Sequence, residues 1–225
     1  MKHKTFLLFL LVVNLMQAQR FRVGFTGGLC VTDIDGADTR DSDNDFHKPG
    51  FTVGGILNMP LNEKRSFQFE INYIQKGSTM PPDSLNNGYY KIALDYVEMP
   101  FLIKQRVKFN LRKKPVTQLD LEGGVSVGRM IRHNVTGSTN YGIISSDNLF
   151  NKTDLSLLFG ADYNFSKNFY FCVRYSNSVI PSIKRNAPNL NFITYTFNRG
   201  NNMVWQFSFK FLFSSVGEKG GKKLE

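Results

Sequence analysis

Between Met203 and Phe213 every second residue is large and apolar: Met203, Trp205, Phe207, Phe209, Phe211 and Phe213. The positions between them carry Gln206, Ser208 and Lys210. A period of two belongs to an extended strand, whose successive side chains leave on opposite faces. One face is greasy and the other wet. A soluble sandwich uses such a strand once or twice. Here the pattern recurs along almost the whole chain, which predicts a sheet closed on itself with its apolar side toward lipid.

Eight segments carry the pattern: Phe21–Cys30, Gly50–Met59, Ser66–Lys76, Lys91–Val107, Val116–Arg132, Thr153–Phe165, Asn168–Ile180 and Asn202–Phe213. In the third, Phe67, Phe69, Ile71 and Tyr73 alternate with Gln68, Glu70 and Asn72. In the sixth, Leu155, Leu157, Phe159, Tyr163 and Phe165 alternate with Asp154, Ser156, Asp162 and Asn164. The fourth breaks phase: Ile92, Leu94 and Tyr96 are even, whereas Val97, Met99, Phe101 and Ile103 are odd. A β-bulge near Tyr96–Val97 would reconcile the two halves and keep both Asp95 and Glu98 inside. No helical period of useful length is present. Short connections (61–65, 108–115, 166–167) alternate with long ones (31–49, 77–90, 133–152, 181–201). Short periplasmic turns and long outer loops are the habit of outer-membrane barrels. The expected fold is all-β: an eight-stranded antiparallel up-and-down transmembrane β-barrel over residues 19–213, with periplasmic termini.

The start of the chain fits export. Lys2 and Lys4 precede an apolar run from Phe6 to Met16, and Ala18 follows. The run is too short to span a bilayer as a helix, and residues 1–18 read as a signal peptide. The mean hydropathy of −0.26 resembles that of a soluble protein. A barrel with a polar interior gives the same value, and 21 Phe with 9 Tyr suit aromatic girdles. A soluble lipocalin-like barrel is the alternative. The net charge of +10 would suggest nucleic acid in a cytosolic chain. Behind an export signal the expected partners are instead outer-membrane lipid and lipopolysaccharide, with no nucleic acid. Much of the charge lies in a predicted turn (Arg112, Lys113, Lys114) and in a basic periplasmic tail, 214–225, with Lys219, Lys222 and Lys223. These six are the candidate contacts for a partner. Cys30 and Cys172 fall on the first and seventh strands, with the eighth between them. At ~4.8 Å per strand this exceeds disulfide reach, so both are expected as free interior thiols.

Eight strands enclose a space that side chains fill. The expected inward set holds the acids Glu70, Asp95, Glu98, Asp120, Glu122, Asp154 and Asp162 and the bases Arg22, Lys104, Arg174 and Lys210. Buried charges must pair, since an unpaired one is costly. The acids outnumber the bases, which leaves some carboxylates to be protonated or held by water. Two carboxylates side by side can serve acid–base catalysis. A filled lumen admits no substrate, so the set reads as a structural network.

Other chemical signals are weak. Asp41-x-Asp43-x-Asp45 begins like a calcium loop, within the acidic run Asp33, Asp35, Asp38, Asp41, Asp43 and Asp45. Phe46 stands where such a loop needs glycine, and Thr52 where it needs glutamate. His47 and His133 lie in or near different outer loops, and His133 with Ser138 or Ser145 makes no compact triad. Zinc spacing is missing. The pairs Gly27-Gly28, Gly54-Gly55 and Gly123-Gly124 precede no helix, so they read as close packing rather than a phosphate loop. No catalytic residue, cofactor or metal is expected.

Several motifs resemble the PorT-like outer-membrane barrels of Bacteroidetes. They are Lys48-Pro-Gly-Phe51 with Gly54, and Glu70-x-Asn72-Tyr73-x-Gln75-Lys76-Gly77. The most specific is Leu94-Asp-Tyr-Val-Glu-Met-Pro-Phe-Leu-Ile-Lys104, extended by Glu122-Gly-Gly-Val-Ser-Val-Gly128 and Val173-Arg-Tyr175. The resemblance covers nearly the whole mature chain. It implies a non-catalytic barrel that takes part in type IX secretion, which exports proteases and adhesins, and other secretion-system proteins as partners. Three features depart from the family pattern: Ser176-Asn-Ser178, the Phe-rich last strand, and the tail beyond Phe213. A general structural or adhesive barrel and a lipid-modifying barrel enzyme are the alternatives.

Overall fold

The computed structural model describes residues 21–34, 48–80, 89–109, 117–138, 149–184 and 200–213. They form β1 (Arg22–Ile34), β2 (Lys48–Pro60), β3 (Arg65–Met80), β4 (Tyr89–Phe109), β5 (Thr117–Ser138), β6 (Thr153–Ser166), β7 (Phe169–Ser178) and β8 (Asn202–Leu212). Each strand pairs antiparallel with its sequence neighbour, and β8 returns to β1 to close the barrel. β5 runs on past Arg132, the expected end, because its ladder with β4 continues to the pair Tyr89↔Ser138. Alternation stops when both faces meet water, whereas backbone pairing does not.

Register fixes which side chains share the interior. One row of partners runs Thr32, Val204, Ser176, Leu158, Gly124, Leu102, Gln68, Asn58 and Arg22. Every member is an even-numbered residue, so the inward phase is common to all eight strands. The row returns to β1 ten residues below its start, from Thr32 to Arg22. Such a stagger tilts the strands by ~40° to the barrel axis and leaves room inside only for side chains. The outward row of β8 from Met203 to Phe213 covers ~33 Å of strand and rises ~25 Å along the axis, the height of a lipid-facing band.

The exterior is apolar between two aromatic zones. Toward the short turns, Phe25, Phe165, Phe169, Phe171, Phe209, Phe211 and Phe213 form a continuous patch with ring centroids 4.7–6.3 Å apart. Toward the long loops, Tyr175 packs on Trp205 at 5.0 Å and Phe51 on Tyr73 at 5.3 Å.

β4 corrects one expectation. Ile92, Leu94 and Tyr96 are buried in the lumen in phase with Glu98 and Lys104, so the strand keeps its phase. The bulge exists, but its extra residue is on the neighbouring strand. Asp95 pairs with Arg132 and Tyr96 with Met130, leaving Ile131 of β5 between them. Asp95 therefore shares the outward phase of Val97 and is not part of the lumen set, where the sequence reading placed it.

Candidate functional site

Six consecutive strands each send one charge to the middle of the lumen: Glu70 from β3, Lys104 from β4, Glu122 from β5, Asp162 from β6, Arg174 from β7 and Lys210 from β8. The Arg174 fork donates to both oxygens of Glu70 at 2.8 and 2.9 Å, and its Nε donates to Glu122 Oε1 at 2.6 Å. Lys210 Nζ donates to Glu122 Oε2 and to Asp162 Oδ1, each at 3.0 Å. Lys104 pairs with the other oxygen of Asp162. Gln68 and Asn72 donate to the two Glu70 oxygens at 2.6 and 2.7 Å. Three acids meet three bases, so the cluster is neutral as well as hydrogen-bonded. This is the condition under which buried charge is tolerated.

A second cluster lies toward the long loops. Lys76 Nζ stands 2.5 Å from Glu98 Oε1 and 2.8 Å from Asp154 Oδ2, and lies over the Tyr96 ring at 5.3 Å. Here one base faces two acids. The surplus carboxylate is served by side-chain donors: Ser178 Oγ donates to Asp154 at 2.6 Å, with Ser156 at 3.4 Å and Asn202 at 3.5 Å. Toward the short turns, Arg106 Nε donates to Asp120 at 3.0 Å and Arg22 to the Tyr170 hydroxyl at 3.4 Å.

Sequence reasoning missed Lys76 and Arg106, and both reduce the expected excess of acid. The signal for Lys76 was present, since it continues the even phase of Gln68, Glu70 and Asn72. Ile74, apolar in the same row, concealed it.

Both ends of the lumen carry apolar packing. Ile56, Tyr170 and Leu212 cluster at the short-turn end. At the other end Ile34, Ile74, Ile92, Leu94, Tyr96, Met130 and Val204 meet Leu149, Phe150 and Ile183 from the two flanking connections. Phe150 bridges Ile183 in antiparallel fashion, Asn151 N donates to Ser182 O at 2.8 Å, and Lys184 N donates to Leu149 O at 3.0 Å. Residues 149–151 and 182–184 thus pack together at the mouth. This layer explains why β4 is apolar on its inward side.

Among the described residues the arrangement binds charge to charge, and one group of ligand-type side chains comes together. Glu122, Asp162 and Cys172 bring ligand atoms within 4.8 Å of one another. Lys210 already stands 3.0 Å from both carboxylates, where a cation would sit. Cys30 and Cys172 are free and buried; their thiols face Gln75 O at 3.3 Å and Glu122 Oε1 at 3.5 Å. His133 is exposed, with its ring tilted against Phe150 at 5.7 Å between centroids. Asp33 accepts from Ser78 Oγ at 2.6 Å. The rest of the acidic loop, His47, Ser145, residues 1–18, the turn with Arg112, Lys113 and Lys114, and the tail with Lys219, Lys222 and Lys223 lie outside the described residues.

The motifs that carried the family resemblance converge in space. Glu70, Glu98, Lys104, Glu122 and Arg174 all belong to the two ion clusters. Gly124 brings β5 close to β4: a methyl group there would lie 1.9 Å from Phe101 O.

No curated protein sequence matches this chain. Several solved outer-membrane barrels resemble it distantly. Ail, the attachment invasion locus protein of Yersinia pestis, is 10% identical with a TM-score of 0.40 over 86% of this chain and 99% of that one. OprG from Pseudomonas aeruginosa is 12% identical with a TM-score of 0.43 over 88% and 98%. Neisserial surface protein A is 12% identical with a TM-score of 0.42 over 86% and 97%. Likeness at this level says nothing of a shared activity. The outer membrane protein beta-barrel domain family matches residues 17–184, most of the chain. With a closed eight-stranded antiparallel barrel, a lipid-matched exterior and that match, the chain belongs to the outer membrane protein beta-barrel domain family and resides in the outer membrane.

Proposed function

We propose that this barrel works by contact, without catalysis and without passage through its lumen, as a component or assembly factor of type IX protein secretion. The observation that carries the contact reading is the filled interior: two ion clusters stacked between two apolar layers. The secretion assignment rests on the resemblance to PorT-like barrels over Leu94–Lys104 and the flanking motifs. Contact then falls to the outer loops, to the turn Arg112–Lys114 and to the tail with Lys219, Lys222 and Lys223.

The tagged protein, extracted in mild detergent, is expected to co-purify with secretion components, and its deletion to retain type IX cargo inside the cell. Normal cargo release in a deletion strain lacking any paralogue would overturn the secretion role. One observation favours a second reading, a general structural or adhesive barrel. The charged residues of the resembling motifs, Glu70, Lys76, Glu98, Lys104, Glu122 and Arg174, are buried in the lumen, so they report lumen packing rather than a partner surface. Recovery of no secretion component, with unchanged cargo release, is the outcome that supports it.

A further inference from the structure

The bulge at Ile131 redirects a charge. In an unbroken strand Met130 faces in, Ile131 out and Arg132 in. The extra residue instead pairs Arg132 with outward-facing Asp95. Bulges of this kind re-aim side chains at barrel rims. Arg129, Ile131 and Arg132 thus all project from the same exterior face of β5. Arg129 is level with its partner Val97, and all three stand beyond Val127 and Leu155 on the long-loop side.

Both arginines are held in place. Arg132 Nε donates to Asp95 Oδ2 at 2.6 Å, and Asp95 is only 4% exposed while 71% of the Arg132 side chain remains open. Arg129 Nη1 donates to Thr153 Oγ1 at 3.1 Å. Ile131, between them, is 58% exposed. Lys152 is exposed next to Thr153 in the chain, and adds a further cation near Arg129 among the described residues.

A guanidinium fork matches phosphate geometry, and an anchored fork gives up less freedom on binding. An isoleucine between two such forks suits a ligand that is apolar below and phosphorylated above. Long loops of outer-membrane barrels face the cell exterior, which places this face at the headgroup level of the outer leaflet.

We propose that Arg129, Ile131 and Arg132 form a binding site for a phosphorylated glycolipid of the outer leaflet. The phosphate lies on the arginine forks and an acyl chain lies along Ile131 and Val127. This site is independent of the secretion reading and stands or falls separately from it.

The test titrates the purified barrel, folded in detergent, with diphosphorylated lipid A, with its dephosphorylated form and with inorganic phosphate, read by native mass spectrometry. Wild type is expected to retain the diphosphorylated lipid and to discriminate against the other two. R129Q/R132Q should weaken binding by roughly 10-fold or more, since each lost charge-assisted bond is worth about that factor. R65Q, at the short-turn end, should change nothing. Equal binding of the dephosphorylated lipid by the wild-type barrel overturns the proposal without need of any variant. So does equal competition by inorganic phosphate, or unchanged affinity in R129Q/R132Q that still shows the heat-modifiable migration of a folded barrel.

Discussion

Arg174 grips Glu70 with its fork and Glu122 with its Nε, all three fully buried. Removing it leaves two carboxylates short of a partner in a water-poor interior. Arg174→Met should therefore cost roughly 3–5 kcal/mol. Urea unfolding in lipid vesicles is the measurement. Arg132→Gln removes an equally short ion pair whose cation is open while its carboxylate is buried; there the loss should be smaller, about 1–3 kcal/mol. The two cysteines give a second check at this scale. Both thiols are buried and separated by β8. A maleimide should label neither in the folded barrel and both after denaturation; a cross-linked, unlabelled denatured chain would contradict the register.

At the scale of elements, one glycine marks a close approach between strands. Gly77 of β3 has φ of +130°, and a methyl group there would lie 2.0 Å from Ile92 O of β4. Gly77→Ala should cost on the order of 1–3 kcal/mol through backbone strain alone, with more from displacement of β4. Gly55 of β2 has nothing within 4 Å, so Gly55→Ala should leave the thermal migration shift unchanged. The strands themselves were legible because alternation is a local property: Phe207, Phe209 and Lys210 reveal their faces without reference to any other strand. The bulge was legible only in part. Tyr96 and Val97 announced a conflict of phase, but the register shifts between Asp95 and Tyr96 and the residue that resolves it, Ile131, lies on another strand. Nothing within β4 could show that. Lys76 and Arg106 continue the inward phase of their own strands, but their pairing with Glu98, Asp154 and Asp120 is a matter of three-dimensional register that no single strand shows. The apolar inner face of Ile92, Leu94 and Tyr96 answers to Leu149, Phe150 and Ile183, which come from connections rather than from strands.

For the whole molecule, the stack of apolar mouth, ion clusters and lower apolar layer predicts a closed pathway. Reconstituted in planar bilayers, the barrel should give no stepwise conductance; well-resolved channel openings would refute the filled lumen. The central cluster has a further consequence, for how the barrel enters its membrane. The hairpin β3–β4 brings Glu70 and Lys104, which cancel. The hairpin β5–β6 brings Glu122 and Asp162, both acids, and β7–β8 brings Arg174 and Lys210, both bases. Neither of these last two hairpins is neutral until the other arrives. A half-inserted sheet would hold two like charges against hydrocarbon, at several kcal/mol each. Insertion one hairpin at a time is therefore penalised across the last four strands, which must cross together.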